Sequence, residues 1–536
     1  MTDLQAFWKK NRLTWWYALC FALLGFIDQR RGSAVGNVQM MMTNLTGPVL
    51  ACMLLPSMKR EFIRIRPVRI WSAVCAVGMP AAMLLGARAW EYQGQWNTAV
   101  INAAVFGFLA LYVVWDRKEI MEKSRLNKAC FFVVMGMLFL MQCSVHEAFW
   151  PVWFLGYFGC FYLIGIPKEW ENTFVRGMLE GIILWFFVQQ IIAFGFRPYD
   201  YVRYRGLYSG ETQSGLFYMI VFCAFTCTWL WLRREKAKWP LKLLCFLLSA
   251  GSLGFLLLTG GRSSLFGAVA AAILGYMLYD ILMSKSFKHW ILQGVLLGVC
   301  TAVLFPAVYC SVRYLPTILH HPIWFEGEYN AAASVHSFDP WDSEKYVSFE
   351  LAVNYSVGRI LRLFGIHFEI GNTEDTNAGL ATPWSLTAHA AEAGEPGSSQ
   401  ENPFYFEGKD YVDPIVVRGT IYYYYFTHLN FAGHSKANPG FYLGENGIFM
   451  DHAHDMFLQI AYDYGILPGI LFLGWSVACM IRLIRRKDMT GIICVTFFAA
   501  IIVYGLTEMA VTTGQITFTL MFIIYYFAMQ KSFKTD

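Results

Sequence analysis

Residues 241–283 read LKLLCFLLSAGSLGFLLLTGGRSSLFGAVAAAILGYMLYDILM, and this stretch decides the fold class. Two apolar runs, residues 241–259 and 264–283, flank a short turn that contains Gly260, Gly261 and Arg262. An α-helix needs about 20 apolar residues to cross a hydrocarbon core of roughly 30 Å. The stretch therefore predicts two membrane-spanning helices joined by a tight turn.

The same pattern recurs along the chain. Of its 536 residues, 57% are hydrophobic and only 15% are charged, whereas a soluble protein carries about 25% charged residues. We predict an all-α polytopic membrane protein with about fourteen (12–14) transmembrane helices. The predicted spans are residues 13–28, 36–57, 67–87, 97–115, 129–145, 149–166, 174–195, 213–232, 241–259, 264–283, 289–312, 458–481, 491–507 and 514–530.

The distribution of basic residues predicts the orientation. Lys and Arg concentrate in cytoplasmic loops of membrane proteins. With the N-terminus inside, 28 of the 42 Lys and Arg residues fall on the cytoplasmic side. We therefore predict that both termini are cytoplasmic and that the single long loop is extracytoplasmic.

These spans divide the chain into four predicted segments. Residues 1–200 form an N-terminal transmembrane bundle, and residues 201–312 form core spans with arginine motifs. Residues 313–455 form a large extracytoplasmic loop, within which Ser348–Phe368 and Asp413–Phe431 carry apolar residues at helical spacing. Such helices are typical of the membrane surface. Residues 456–536 hold the last spans.

Two arginines precede the eighth span, in the sequence Tyr201-Val-Arg-Tyr-Arg-Gly-Leu-Tyr. If this stretch is extended, Arg203 and Arg205 point the same way because strand side chains alternate. Guanidinium groups offer planar, bidentate donors that suit a pyrophosphate. The alternative is that one arginine pairs with an acid and the other reaches lipid headgroups.

A third arginine, Arg262, lies on the predicted outer side between Gly261 and a helix start. Free backbone N–H groups at a helix N-terminus attract anions, and an arginine at membrane depth indicates a functional site. Contact with lipid headgroups is the alternative.

A pair of histidines leads from the long loop into the twelfth span, in Met450-Asp-His-Ala-His-Asp-Met-Phe. If the helix has already begun, His452 and His454 face roughly opposite sides, which disfavours a two-histidine metal site. One histidine could act as a general base, with Asp451 orienting its ring or capping the helix. A structural histidine is the alternative.

Together these segments suggest one reaction. A sugar that leaves as a pyrophosphate ester needs cations to stabilise the leaving group, and the acceptor hydroxyl needs one base. Two or three arginines and one histidine supply both without a metal. Carboxylate pairs in the loop are weaker metal candidates, which a solvated acidic surface explains better: Glu326 and Glu328, Asp339 and Asp342, Asp410 and Asp413.

At these residues the sequence resembles the O-antigen ligase and O-antigen polymerase superfamily of bacterial membrane glycosyltransferases. The segment from His452 through Asp455-Met-Phe-Leu-Gln to Gly465-Ile is similar to the family's His-x-His-Asn…Leu-Gln…Gly-Ile motif. The Arg203 segment resembles the family's Arg-x-x-Gly-aromatic motif, and Thr259-Gly-Gly-Arg262-Ser resembles its Ser-Arg turn. The chain departs from the pattern at Glu211-Thr212, where the family often has Pro-Asn, and at Asp455, where it often has Asn.

The resemblance implies a GT-C-like, metal-independent glycosyltransferase in the bacterial cytoplasmic membrane, with its active site on the extracytoplasmic face. Its donor would be an undecaprenyl-pyrophosphate-linked glycan and its acceptor a glycan or a lipid, in a setting of membrane lipids. His454 would be the catalytic base. The pyrophosphate and substrate residues would be Arg203, Arg205, Arg262, Arg418 and His452.

The resemblance leaves the reaction within the family open. A polymerase for O-antigen, capsule or exopolysaccharide is favoured over a ligase that moves the finished glycan to a lipid, protein or wall acceptor. A non-enzymatic flippase or transporter of lipid-linked oligosaccharides is the alternative of another class. Neither a cofactor nor a nucleic-acid partner is expected.

Overall fold

The computed structural model describes most of the helical parts of the chain. The described residues are 3–32, 45–89, 93–143, 149–197, 199, 203–208, 210–284, 289–319, 347–358, 360–361, 366, 368, 370, 414–434, 441–443, 448–450, 452–510 and 516–531.

Helices dominate these residues, as the sequence predicts. The first eight are α1 (Asp3–Gly32), α2 (Thr46–Leu54), α3 (Arg66–Ala89), α4 (Gln93–Trp115), α5 (Arg117–Lys123), α6 (Lys128–Cys143), α7 (Phe149–Ile164) and α8 (Glu171–Phe196). The central four are α9 (Glu211–Arg234), α10 (Trp239–Leu258), α11 (Arg262–Leu282) and α12 (His289–Ile318). Single 3-10 turns cover Leu55–Ser57, Arg60–Arg64 and Lys168–Trp170.

Six further helices, a π-helical turn and a short hairpin complete the described chain. Helix α13 (Phe349–Val353) continues into a π-helical turn, Asn354–Gly358, and α14 spans Pro414–Thr427. A short antiparallel hairpin follows, formed by β1 (Phe441–Leu443) and β2 (Ile448–Met450). The last helices are α15 (Met456–Tyr464), α16 (Ile466–Arg485), α17 (Met489–Gly505) and α18 (Ile516–Met529).

The chain is a multi-pass membrane protein. Among the described residues, 8 helices are long and apolar enough to cross a bilayer. They lie within α3, α4, α8, α9, α10, α11, α12 and α16. Shorter apolar helices include α6, α17 and α18. The predicted all-α membrane class is confirmed, while the count of about fourteen spans stays a prediction, as does the orientation.

Small residues let the helices approach closely. On α8, a Cβ added at Gly177 would lie 2.9 Å from the Thr14 carbonyl oxygen of α1, and one at Gly181 would lie 2.4 Å from that of Ala18. Glycines four residues apart are the pattern that allows such contact in membranes. On α11, a Cβ at Gly267 would lie 2.8 Å from the Ala500 carbonyl oxygen of α17. The α11–α17 contact positions one side of the candidate site.

Basic segments meet at one end of the bundle. Arg125 and Arg486 both contact the Glu171 carboxylate, at 2.6 Å and 2.5 Å, and the Lys531 backbone N–H donates to the Arg125 carbonyl. All four residues belong to segments predicted to be cytoplasmic. Glu171 starts α8 and is 5% exposed, so this cluster ties both halves of the chain together.

The twelfth predicted span, residues 458–481, is wrong as a single helix. The chain breaks between α15 and α16 at Gly465, whose φ is +101°. A Cβ at this position would lie 2.3 Å from the Phe431 carbonyl oxygen, and the Ile466 N–H donates to the Asn430 carbonyl. The membrane-crossing helix therefore begins at Ile466, and α15 precedes it as a separate helix on the side of the long loop.

We expect Gly465→Ala to lower stability. A non-glycine residue in this backbone region costs about 1–3 kcal/mol, and the added methyl group also meets the Phe431 carbonyl. Thermal unfolding of purified protein in detergent should show a lower midpoint. Gly474→Ala is the matched control, because a Cβ at Gly474 in α16 has no atom within 4 Å and alanine favours a helix. Equal midpoints for the two variants would contradict the prediction.

The long loop contains part of the predicted surface helices. Of the predicted helix Ser348–Phe368, the structure shows α13 and the π-helical turn. The predicted helix Asp413–Phe431 is observed as α14. Tyr423 and Phe426 on α14 are 58% and 69% exposed, as suits an interfacial helix. Residues 371–413 lie outside the described part of the chain.

Candidate functional site

The two predicted histidines precede the helix rather than lie in it. Helix α15 starts at Met456, and Asp455 caps it by accepting a hydrogen bond of 2.8 Å from the Leu458 N–H. His454 has a φ of +51°, and its ring centroid lies 4.0 Å from that of His452, at an interplanar angle of 51°. The condition for opposite faces, a helix that has already begun at these positions, is therefore not met.

Glu508 joins this pair and was missed by the sequence reasoning. Its Oε2 lies 3.2 Å from His454 Nδ1, and its Oε1 accepts a hydrogen bond of 3.1 Å from Arg418 Nη2. One carboxylate thus contacts a predicted base and a predicted substrate arginine at once. The available signal was its place directly after the predicted span 491–507, on the predicted outer side.

The electrostatics keep Glu508 ionised. Burial alone raises the pKa of its carboxyl group, but the hydrogen bond and charge of His454, followed by the charges of Arg418 and His452, outweigh that effect. The net result is a pKa below the ordinary value for glutamate. A neutral His454 with its proton on Nδ1 can then donate to this carboxylate, which leaves Nε2 as an acceptor.

Helix α14 covers the histidine turn. The Tyr422 hydroxyl donates to the His454 carbonyl oxygen at 3.3 Å, and Ile421 and Tyr425 pack with Ala453, which is fully buried. Arg418 lies one turn earlier on the same helix. The long loop, which is predicted to be extracytoplasmic, therefore contributes both an arginine and the packing that holds His454.

Asp455 has a structural part in this turn. Burial raises the pKa of its carboxyl group, and backbone N–H groups of Leu458 and Phe457 oppose that shift in part. Its side chain is committed to the helix cap. Asp451, predicted to orient a histidine or cap the helix, lies outside the described residues, and so do the carboxylate pairs of the long loop.

The second group of predicted residues surrounds the glycine turn between α10 and α11. Arg203 Nε donates to the Thr259 carbonyl oxygen at 2.9 Å, and its Nη1 lies 3.0 Å from Glu211 Oε1. Gly260 has a φ of +61°, and a Cβ there would lie 2.7 Å from Cε1 of Tyr355, so the turn needs a glycine at this position. Glu211, noted only as a departure from the family pattern, is thus the partner of Arg203.

Arg205 lies in the turn before α9. Tyr204 and Tyr208 are 1% and 2% exposed, whereas Arg203 and Arg205 are half-buried. The stretch bends and turns instead of forming a strand, so the common direction of the two arginines stays a prediction. The Arg205 carbonyl oxygen accepts hydrogen bonds from the Tyr208 N–H and the Ser214 hydroxyl. These bonds fix the backbone of the Arg203 segment against α9.

Arg262 is the first residue of α11 and lines a pocket at the glycine turn. The pocket is walled by the π-helical turn that follows α13 and by the end of α10. Its lining includes Leu256, Leu257, Leu265 and Ile360 as apolar residues, and Arg262 and Ser356 as polar ones. The Ser356 hydroxyl is buried and has no hydrogen-bond partner within the described residues, so it remains available to a bound group.

One hydrogen bond links the two groups. The Thr507 hydroxyl donates to the Ser263 hydroxyl at 2.7 Å. Thr507 directly precedes Glu508, and Ser263 directly follows Arg262. The cluster of Arg418, His452, His454 and Glu508 and the glycine turn with Arg203 and Arg262 therefore lie beside each other at one end of the bundle. Arg205 belongs to the adjoining segment.

No family model, curated protein or solved structure matches the chain. The resemblance to the O-antigen ligase and polymerase superfamily therefore stays a prediction.

Proposed function

We propose that this protein transfers a glycan from an undecaprenyl-pyrophosphate carrier to an acceptor hydroxyl on the outer face of the cytoplasmic membrane. The observation that carries the proposal is the hydrogen-bonded pair of His454 and Glu508, beside a turn that holds Arg203 and Arg262. A base with an orienting carboxylate and a set of guanidinium groups are the parts that this transfer needs.

The reaction requires few groups. His454 Nε2 accepts the proton of the acceptor hydroxyl while the hydroxyl oxygen bonds to the anomeric carbon. The bond from that carbon to the pyrophosphate oxygen breaks, and its electron pair leaves with the pyrophosphate. Arg203 and Arg262 stabilise the charge on the leaving group, and Glu508 stabilises the imidazolium. Direct attack opposite the leaving group inverts the anomeric carbon.

This transfer requires no metal and no added cofactor, and the leaving group does not have to be protonated. We place the active site on the extracytoplasmic side because the proposed residues lie at the end opposite the basic cluster around Glu171. Membrane lipids surround the site, and the carrier reaches it from the outer leaflet.

We favour repeat-unit polymerisation for O-antigen, capsule or exopolysaccharide, because nothing in the sequence marks a particular non-glycan acceptor. The alternative is a ligase that moves a finished glycan to a lipid, protein or wall acceptor. The lipid-linked glycans of a deletion strain separate them: single repeats accumulate if the protein is a polymerase, and long unattached chains accumulate if it is a ligase. An unchanged glycan profile would contradict both.

A flippase is the competing proposal from another class. A flippase is expected to place charged groups along a cavity that opens to both faces, whereas the candidate residues are gathered at one end of the bundle. Purified protein in detergent, supplied with lipid-linked donor and acceptor, decides between them because a flippase forms no new glycosidic bond.

We expect Arg262→Lys to lower kcat/KM about 10–100-fold, since a hydrogen bond to a charged group is worth about 1.5–3 kcal/mol. Lysine keeps the charge but loses the planar, bidentate fork. The transfer assay measures the change. Arg176→Lys is the matched control, because Arg176 forms an exposed pair with Glu180 four residues away, and such pairs contribute little. Near-normal turnover of Arg262→Lys would mean that this residue contacts only headgroups.

A further inference from the structure

We propose that His452, His454 and Glu508 form a binding site for a zinc-class transition-metal cation, and that the bound cation inhibits transfer. The binding half of this inference is independent of the proposed function, whereas the inhibition half rests on it.

The ligand set is suitable for such a cation. The three residues each offer one ligand atom, and these atoms lie within 4.8 Å of one another. Zn²⁺ binds imidazole nitrogen and carboxylate oxygen at about 2.0–2.2 Å, so tetrahedral ligand atoms are separated by roughly 3.3 Å. His454 Nδ1 and Glu508 Oε2 are already 3.2 Å apart. All three ligand atoms lie within 4.8 Å of one another, so metal binding would have to draw the His452 atom closer.

The backbone holds the two imidazoles together. His454 has a φ of +51°, a region that only a few per cent of non-glycine residues adopt. The capped start of α15 and the hydrogen bond from the Tyr422 hydroxyl to the His454 carbonyl fix this conformation. The rings are therefore paired before any ion binds, which lowers the ordering entropy that binding would cost.

Arg418 sets both the orientation and the strength of the site. It donates to the second oxygen of Glu508 at 3.1 Å, and a ligating carboxylate is commonly oriented by such an outer hydrogen bond. Its positive charge also opposes a cation. We therefore expect weaker binding than at a structural zinc site with four protein ligands, and a fourth position open to water.

Binding would disable the proposed base. A neutral imidazole has one nitrogen lone pair. If the metal takes Nδ1 of His454, the ring proton resides on Nε2, and if the metal takes Nε2 it occupies the base directly. In either arrangement His454 cannot accept the proton of the acceptor hydroxyl.

The binding experiment uses the purified full-length protein after treatment with a chelator. Co²⁺ is titrated and its visible absorption recorded, and Zn²⁺ stoichiometry is measured by elemental analysis. We expect the wild type to bind one equivalent per chain. We expect His452→Ala to bind at least ~10-fold more weakly, because loss of even an outer-shell partner of a metal ligand costs about 10–100-fold in affinity. The control is His428→Ala, since His428 is exposed and stacks on Tyr424.

Thermal unfolding with and without Zn²⁺ shows whether His452→Ala is folded, so that a loss of metal binding is not mistaken for a folding defect. Zn²⁺ should raise the unfolding midpoint of the wild type and of His428→Ala, because a ligand that binds the native state stabilises it. It should not raise that of His452→Ala. Wild-type affinity in His452→Ala, or binding that His428→Ala removes, would overturn the site.

The second arm measures transfer. Zn²⁺ should inhibit the wild type, a chelator should restore activity, and the residual activity of His452→Ala should resist Zn²⁺. Stimulation by Zn²⁺ would overturn the inhibition. If no condition supports transfer, the proposed function fails, but the binding experiment still decides the metal site.

Discussion

The variant His454→Ala should abolish glycan transfer and cause lipid-linked donor to accumulate in cells. Proton transfer by a positioned side chain contributes about 10²–10⁴-fold to a rate. The fall should appear in kcat, because His454 acts on the proton rather than on the carrier. An in vitro transfer assay with purified protein measures it directly.

The neighbouring histidine provides the comparison. His452→Ala should have a milder effect, since its ring packs against His454 at 4.0 Å but the hydrogen bond to Glu508 belongs to His454. Unfolding midpoints of both variants should stay close to that of the wild type. Unchanged polymer in a strain that carries His454→Ala would end the assignment of the base.

The second large effect is expected for Glu508→Gln, with a fall in kcat of about 10²–10³-fold, by analogy with carboxylates that orient a catalytic histidine. The amide keeps the size of the side chain but cannot balance an imidazolium. It also removes the charged partner that lies 3.1 Å from Arg418 in the wild type. The transfer assay should be run across pH, so that any change in the pH profile can be compared with the fall in kcat.

Glu508 would act as a positioning residue, and its test should separate that role from simple stability. Glu180→Gln serves as the control. Glu180 is also paired with an arginine, Arg176, but 34% of its side chain is exposed. Partial rescue by Glu508→Asp with the wild-type pH profile would support positioning. If Glu508→Gln loses stability but keeps both kcat and the profile, the carboxylate only holds α14 in place.

Much of the membrane architecture could be predicted from apolar run length alone. The predicted span 241–259 is observed as Trp239–Leu258, and the span 264–283 as Arg262–Leu282. Length and hydropathy determine such helices because the bilayer requires every backbone polar group to be satisfied internally. The prediction of one continuous helix over residues 458–481 was wrong, because hydropathy cannot detect the positive φ of Gly465.

The candidate site was predictable only in part. Motif spacing identified Arg203, Arg262 and His454, whose segments do meet at one end of the bundle. Glu508 could not be assigned, because its contact with His454 joins residues 54 positions apart and depends on how the turn before α15 lies against the end of α17. The relation of the two histidines was also missed, since it depends on where α15 begins.

The close contact between α11 and α17 also has a consequence for biogenesis. The ribosome completes Gly267 well before Ala500, because the long loop and helices α12 to α16 lie between them in the sequence. Until α17 is made, Gly267 lacks the Ala500 neighbour that it contacts in the folded chain. Glu508 likewise joins the chain only after α17, long after Arg262. The proposed pair of histidine and carboxylate can therefore form only late in synthesis.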